Sequence, residues 1–195
     1  MRKTSLALVT LALAWVGYLA WPLYELVDLV HAVERGDVAA VTRRVNFVRL
    51  RASLTQQIVE AYLQRAGGGR GGALVPGAVA SIADPIVAKI ISPEALAEFL
   101  RIGWPRTALP EQPPDTVGIS IAGLGTAWQL FAASDYGIGR YEVTVPVSFP
   151  PDRGFGLQFR LARWHWRLTT VRMPEHIRFL LADEIVKSVR PPQTP

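Results

Sequence analysis

Residues 141–168, YEVTVPVSFPPDRGFGLQFRLARWHWRL, decide the fold because apolar residues recur there at every second position. The alternation runs over 141–149 and again over 155–161. The segment 150–154 between them contains two prolines and a glycine and is predicted to form a turn. A period of two is typical of strands with one buried face, so the pattern predicts an antiparallel hairpin.

The sheet is predicted to extend on both sides of this hairpin. A third strand is expected at 164–173, with Trp166 and Leu168 facing inward. The segment 128–132 is a candidate for a fourth, preceding strand, and Asp135 is expected to lie in a turn that follows it.

A final helix is predicted after the sheet, over 175–189. Its apolar side comprises Ile177, Leu180, Leu181, Ile185 and Val189. Because helices come first along the chain and cover the inner face of the strands, the predicted fold class is α+β. It consists of an N-terminal transmembrane helix, an early helical layer packed on an antiparallel sheet of three to four strands, and a final helix.

Capping residues mark the early helices. Gly36 is predicted to end a first helix in a left-handed conformation, and Asp37 to cap a short second helix. Asn46 is predicted to cap a longer helix over 48–66. The inward residues of that helix are expected to be Leu50, Leu54, Ile58 and either Ala61 or Tyr62.

Two further helices are predicted before the sheet. The segment 78–91 is apolar enough to be largely buried, with a break at Asp84 and Pro85. Ser92 is predicted to cap the next helix, which runs to about residue 102, because Pro and Glu follow it at the first two positions.

Two segments are predicted to be loops. The glycine-rich segment 67–72 lacks the Lys-Ser/Thr pair of a phosphate-binding loop and reads as a flexible connection. The segment 103–125 contains four prolines among polar residues and is expected to be a poorly ordered loop.

The N-terminus indicates a membrane segment. Arg2 and Lys3 precede an apolar run over 6–20, which is closed by Trp21 and Pro22. As a helix, residues 4–24 would extend about 31 Å, enough to cross the hydrocarbon core, so we expect a membrane partner through residues 4–21. Four aromatic residues are candidates for the membrane interface: Trp15, Tyr18, Trp21 and Tyr24.

The predicted location is the inner membrane, with a single span and the domain outside the cytoplasm. The alternative is secretion to the periplasm after cleavage, because residues 12–14 form an Ala-Leu-Ala signal-peptidase pattern. A buried core helix is a further reading. The predicted division is an anchor or uncleaved signal segment 1–22, one α+β domain 23–190 (helices 23–102, Pro-rich loop 103–125, sheet and last helix 126–190) and a tail 191–195.

Composition excludes several classes of function. The chain has no cysteine, which removes thiolate catalysis, disulfides and Cys-based metal sites. Its net charge is +5, and without Arg2 and Lys3 the domain carries only +3. This mild excess and the exported location argue against a nucleic-acid partner.

Most of the chain resembles a known family. The carrying residues are Pro22 and Tyr24, Gly36-Asp37, the run from Val45 to Leu54, Ser92-Pro93-Glu94, and Trp166 to Thr169 before Met173-Pro174. These resemble bacterial envelope proteins of domain-of-unknown-function family 2939, in which Asp usually stands where this chain has Asn46. The resemblance implies a membrane-associated bacterial protein with no established activity. A weaker similarity is to cystatin-like domains of the nuclear-transport-factor type.

The strongest candidate for a ligand site is a basic patch. On a strand, His165 shares its face with Arg163 and Arg167, and Arg160 of the neighbouring strand joins them. Such a patch could hold a phosphate, a sulfate or an anionic lipid headgroup. The interpretation that we favour from the sequence is instead a solvated face whose arginines pair with residues such as Glu142.

No catalytic, cofactor-binding or metal-binding residue is predicted. His31, His165 and His176 lack the spacing of a zinc site, and Asp135 has no evident partner for acid–base chemistry. The first functional hypothesis is therefore a non-enzymatic envelope module that binds a protein or an amphipathic ligand. The alternative is a small-ligand enzyme or carrier with a cystatin-like pocket.

Overall fold

The structure is a computed structural model that describes the backbone of residues 2–66, 76–113 and 116–189. Side chains are described over 6–65, 77–113 and 116–184. The glycine-rich segment 67–72 and the tail 191–195 lie outside the described residues, as do the side chains of Arg2, Lys3, Ile185 and Val189.

The predicted fold class is confirmed. An N-terminal apolar helix and further helices come first, a four-stranded antiparallel sheet follows, and a last helix closes the described chain. The helices are α1 (Arg2–Glu34), α2 (Val38–Arg44), α3 (Phe47–Ala66), α4 (Pro76–Ile90), α5 (Pro93–Ile102), α6 (Ala127–Ala132) and α7 (Glu175–Val189). The strands are β1 (Ser134–Gly137), β2 (Arg140–Val145), β3 (Phe155–Ala162) and β4 (His165–Arg172).

Helix α1 differs from the expectation at Pro22. One helix of 33 residues runs through this proline, where the sequence suggested that the apolar run ends and a second helix begins. Proline removes one backbone hydrogen bond, but packing can compensate for that loss. Pro22 is buried, and Leu26 and Leu29 one and two turns later are buried in the core. Burial of the C-terminal half therefore holds the helix together across Pro22.

The capping predictions for α2, α3 and α5 are confirmed. Gly36 has φ +67°, and Asp37 Oδ1 accepts a hydrogen bond from the Ala40 amide at 2.8 Å. Asn46 Oδ1 accepts from the Arg49 amide at 3.2 Å, and Ser92 Oγ from the Ala95 amide at 3.2 Å. The inward residues predicted for α3 are all buried: Leu50, Leu54, Ile58, Ala61 and Tyr62.

The break predicted at Asp84 and Pro85 is wrong. Helix α4 continues through Pro85, with Val79, Ala83 and Val87 fully buried on one side. Arg51 of α3 donates from Nε to Asp84 Oδ1 at 2.8 Å, which ties the two helices together beside the proline. Packing again compensates for the hydrogen bond that proline removes.

The Pro-rich loop 103–125 is packed against the helices over its described residues. Trp104 and Ile119 are buried, and the Ile119 amide donates to the Leu100 carbonyl at 2.8 Å. A short 3₁₀ helix lies at Ala122–Leu124. The backbone at Gly118 passes so close to α5 that a Cβ there would lie 1.9 Å from the Arg101 carbonyl oxygen. Glycine is therefore required at this contact.

The sheet has the order β1-β2-β3-β4, with antiparallel neighbours throughout. Its inner face packs on α3, and the strand residues on this face are buried with the helices in one core. Trp166 and Leu168 face inward as predicted. Strand β4 lies at an edge of the sheet, where the Asn46 amide donates to the Leu168 carbonyl at 2.8 Å.

The segment 128–132 is helical, so its prediction as a strand is wrong. Thr126 caps α6 by accepting from the Gln129 amide, and the Gln129 side chain accepts from the Thr126 amide. This reciprocal capping box fixes a helical turn. The fourth strand of the sheet is instead β1. Asp135 therefore lies in a strand and not in the predicted turn. The turn follows at Ile138 and Gly139.

Two strand boundaries also differ from the prediction. Strand β2 ends at Val145 rather than continuing to 149, because Pro146 has no amide hydrogen for the ladder. Phe149, expected inside, is 37% exposed. In α7, Ile177 and Leu181 are buried as predicted, but Leu180 is 40% exposed. The helix therefore buries a narrower side than its apolar pattern suggested.

Candidate functional site

Arginines occupy neighbouring positions across the outer face of the sheet. Arg140 of β2 is the register partner of Arg160 in β3, and Arg160 is the partner of Arg167 in β4. Directly opposed residues project on the same face, and like charges in such pairs are destabilising. An anion bound at this row would offset the repulsion.

The structure corrects the position of Arg163 in the predicted patch. Arg163 and Trp164 form the β3–β4 turn, with φ +51° and +63°, instead of belonging to β4. His165 and Arg167 do alternate with the buried Trp166 on the outer face, next to Arg160. Three of the four predicted residues thus lie together on the strands, and Arg163 lies at the tip of the turn.

The patch arginines have no carboxylate partner. Among the residues that the structure describes, Arg160, Arg163 and Arg167 make no side-chain hydrogen bond or ion pair. Glu142, the partner suggested by the sequence, is bound to Arg172. Arg140 is paired with Asp135 at 2.7 Å. The positive charge of the patch is therefore uncompensated within the described chain.

An open groove adjoins this patch at the edge of β4, and we call it the basic groove. It has a volume of about 550 Å³ and lies between α1, α2 and β4. Its lining comprises Glu25, Thr42, Arg43, Arg44, His165, Trp166 and Arg167. The structure thus brings His165 and Arg167 together with two arginines that are distant in sequence.

The two α2 arginines of the groove differ in charge compensation. Arg44 is bound to Asp28 and lies 4.0 Å from Glu25 Oε2. Arg43 is exposed and makes no ion pair within the described residues. A ligand in the groove would therefore meet free guanidinium groups on both sides, from Arg43 and Arg167.

Trp166, one of the residues that line the basic groove, has an unpaired buried donor. Trp166 lines the groove and is only 2% exposed, and its indole Nε1 has no acceptor among the described residues. An indole N–H can only donate, and a buried donor without an acceptor costs about 1–3 kcal/mol.

The predicted interface aromatics are divided between exposed positions and contacts with the domain. Trp15 and Tyr24 are more than 60% exposed, whereas Tyr18 and Trp21 are half-buried against the core. Tyr18 packs on Trp166 with ring centroids 6.2 Å apart, and its hydroxyl accepts from the Gly139 amide at 2.9 Å. The sheet is therefore bound directly to α1 at Tyr18.

A chain of aromatic rings leads from the surface to the core beside β1. Trp128, 74% exposed, stacks on Phe131 at 6.0 Å, and Phe131 contacts Tyr136 at 5.5 Å. Tyr136 contacts Tyr141 at 5.2 Å. Burial raises the pKa of both tyrosines, so both hydroxyls stay protonated at neutral pH.

The other histidines lie apart from this region. His31 is half-buried on α1, and His176 is exposed on α7, where desolvation lowers its pKa. No group of three or more His, Asp or Glu side chains suited to a metal ion occurs within the described ranges.

The comparison with protein families concerns the helical part of the chain. Residues 11–99 match the family Protein of unknown function (DUF2939). The matched segment begins inside α1 and ends inside α5. It supports the resemblance carried by the early helices.

The DUF2939 match includes only part of the basic groove. Glu25, Arg43 and Arg44 lie within it, whereas the sheet residues of the groove lie outside, as does the resemblance at Trp166 to Pro174. Searches of curated proteins and of solved structures find no match.

Proposed function

We propose that this chain is a non-enzymatic binding module of the bacterial envelope, anchored in the inner membrane by α1. The helix is long and apolar enough to cross a membrane, with a mean hydropathy of 1.8 over its candidate span. Its residues from Leu6 to Gly17 are exposed, whereas Leu26 and Val30 are fully buried in the domain. Anchor and domain thus share one helix.

The sequence supports an orientation with the domain outside the cytoplasm. Arg2 and Lys3 precede the apolar run, and positive charges next to a span favour the cytoplasmic side. Cleavage after Ala14 is the alternative and would release the domain to the periplasm. It would leave Trp15, Tyr18 and the buried half of α1 with the domain, so it is compatible with the same fold.

The ligand that fits the basic groove is a phosphate-bearing or similar anionic group. The observation that carries this proposal is that Arg43 and Arg167, which make no ion pair among the described residues, line one groove together with His165. Guanidinium groups bind phosphate with two parallel hydrogen bonds. A lipid headgroup and a free phosphate share this chemistry.

The test measures lipid retention by the full chain in detergent micelles, using native mass spectrometry. We expect phosphatidylglycerol to be retained in preference to phosphatidylcholine, and retention to fall as salt rises. Arg43→Gln and Arg167→Gln should each weaken retention about fivefold, since one basic residue contributes about 1 kcal/mol to such binding. Added inorganic phosphate should displace the lipid if the groove accepts free phosphate.

Arg153→Gln is the matched control. Arg153 is an exposed arginine at the opposite end of the sheet, in the turn between β2 and β3, and it makes no ion pair with the described residues. Its replacement removes the same charge from the chain and should leave retention unchanged. Equal retention of the two lipids, or an equal effect of all three substitutions, would contradict the proposal.

The alternative remains a small-ligand enzyme or carrier with a cystatin-like pocket. It requires a cavity on the inner face of the sheet, where ionisable groups converge. Tyr141, Leu157 and Phe159 on that face are fully buried in the core, which favours the binding module.

A further inference from the structure

Two apolar side chains project from the end of the sheet that contacts α1. Ile138, in the β1–β2 turn, is fully exposed, and Trp164, in the β3–β4 turn, is 77% exposed. Because these large apolar side chains lie at the tips of turns, they are not stabilised by burial in the domain core. They are suited to an apolar environment outside the domain.

The register places both tips at the same end of the sheet. Gly137 pairs with Arg140, Arg140 with Arg160, and Arg160 with Arg167, so these positions form one row across four strands. The β1–β2 turn follows directly beyond this row, and the β3–β4 turn follows two residues further along β3 and β4. The Leu161 amide donates to the Gly139 carbonyl at 3.0 Å, which joins the β1–β2 turn to β3.

This end of the sheet lies beside the apolar half of α1. Leu11 and Trp15 line a groove of about 530 Å³ together with Tyr136, Gly137 and Ile138. Tyr18 is hydrogen-bonded to Gly139, next to Ile138. The β1–β2 turn therefore lies alongside the segment that is proposed to be in the membrane.

The length of α1 determines how deep in the bilayer the β1–β2 turn would lie. Leu11 and Trp21 are ten residues apart, or about 15 Å along the helix axis. A span of about 30 Å that ends near Trp21 or Tyr24 places Leu11 at or just past the middle of the hydrocarbon and Trp15 in its outer half, about 9–14 Å from the outer boundary. A turn that shares a groove with both residues cannot remain in bulk water while α1 spans the membrane.

The surrounding charges suit a lipid headgroup layer. Arg160, Arg163 and Arg167 lie within a few residues of the two tips and have no carboxylate partners in the described chain. Apolar tips surrounded by free basic residues are typical of surfaces that bind anionic membranes.

We propose that the β1–β2 and β3–β4 turns insert Ile138 and Trp164 into the outer leaflet of the membrane that α1 spans. The unpaired arginines then lie at the level of the anionic headgroups. This inference rests on the proposed anchoring by α1. It adds that the domain is held against the bilayer by a second contact, on the sheet.

The absence of cysteine permits a direct measurement of depth. Single variants Ile138→Cys and Trp164→Cys of the full chain are labelled with an environment-sensitive fluorophore and reconstituted into vesicles containing phosphatidylglycerol. Val9→Cys, on the exposed apolar half of α1, reports on the span. Asp152→Cys, in the turn at the opposite end of the sheet, is the aqueous control.

We expect blue-shifted emission and quenching by spin-labelled lipids at residues 9, 138 and 164, and neither effect at 152. Quenching at residue 9 with aqueous emission at 138 and 164 would overturn the inference and leave the anchor intact. Absence of quenching at residue 9 would refute the anchor and, with it, the inference. A protein partner on the tips would shift the emission only when that partner is added.

Discussion

At the scale of single residues, the local arrangement within one strand could be predicted from the sequence. His165 and Arg167 share a face because side chains alternate along a strand, and Arg160 is their neighbour across a short turn. Arg43 was missed because its place in the basic groove depends on how α2 packs on β4. No local pattern encodes that contact.

Gly118 illustrates a requirement that only the folded chain reveals. A Cβ at this position would lie 1.9 Å from the Arg101 carbonyl oxygen, so we expect Gly118→Ala to destabilise the domain by about 1–3 kcal/mol, as overpacking does. Thermal unfolding of the full chain in detergent measures the effect.

Gly77→Ala is the control for this prediction, because a Cβ at Gly77 of α4 would meet nothing within 4 Å. It should leave the stability unchanged or raise it by less than about 1 kcal/mol, since alanine favours the helix. Equal unfolding temperatures for the two variants would show that the contact at Gly118 is not tight.

At the scale of elements, caps and periodicity were the reliable signals. Gly36, Asn46 and Ser92 mark helix ends where the backbone itself needs a partner or a left-handed residue. The errors arose where another interaction outweighed the pattern. Packing carries α1 and α4 through their prolines, and the capping box at Thr126 turns an apolar segment into a helix.

The contact between α3 and α4 predicts a pH-dependent stability. The hydrogen bond from Arg51 lowers the pKa of Asp84, so the ionised carboxylate is favoured in the folded chain. The stabilisation is present above the ordinary aspartate pKa of about 4 and is lost as pH falls through the lower pKa of the folded state. Asp84→Asn should therefore unfold at a lower temperature than the parent near neutral pH.

The difference in unfolding temperature between Asp84→Asn and the parent chain should disappear as the solution is made acidic. Asp152→Asn removes an exposed carboxylate that has no ion pair with the described residues, and it should show no comparable convergence. A difference in unfolding temperature between Asp84→Asn and the parent that stays constant across the acid range would contradict the role of the Arg51–Asp84 pair.

At the scale of the whole molecule, α1 joins two environments in one helix. Its first half is exposed and apolar, and its second half is part of the core that also contains the sheet. The sequence predicted the span and the domain, but it did not predict that Tyr18 binds the β1–β2 turn. That contact is long-range and brings the exposed β1–β2 turn close to the apolar half of α1.

The orientation of the domain is the most direct test of membrane anchoring. In bacterial cells that express the full chain with Asp152→Cys, intact spheroplasts are treated with a membrane-impermeant maleimide, and the cysteine-free parent gives the background. We predict labelling at residue 152 without lysis, on a chain that stays in the membrane fraction and keeps residues 1–14. Labelling that requires lysis would contradict the account.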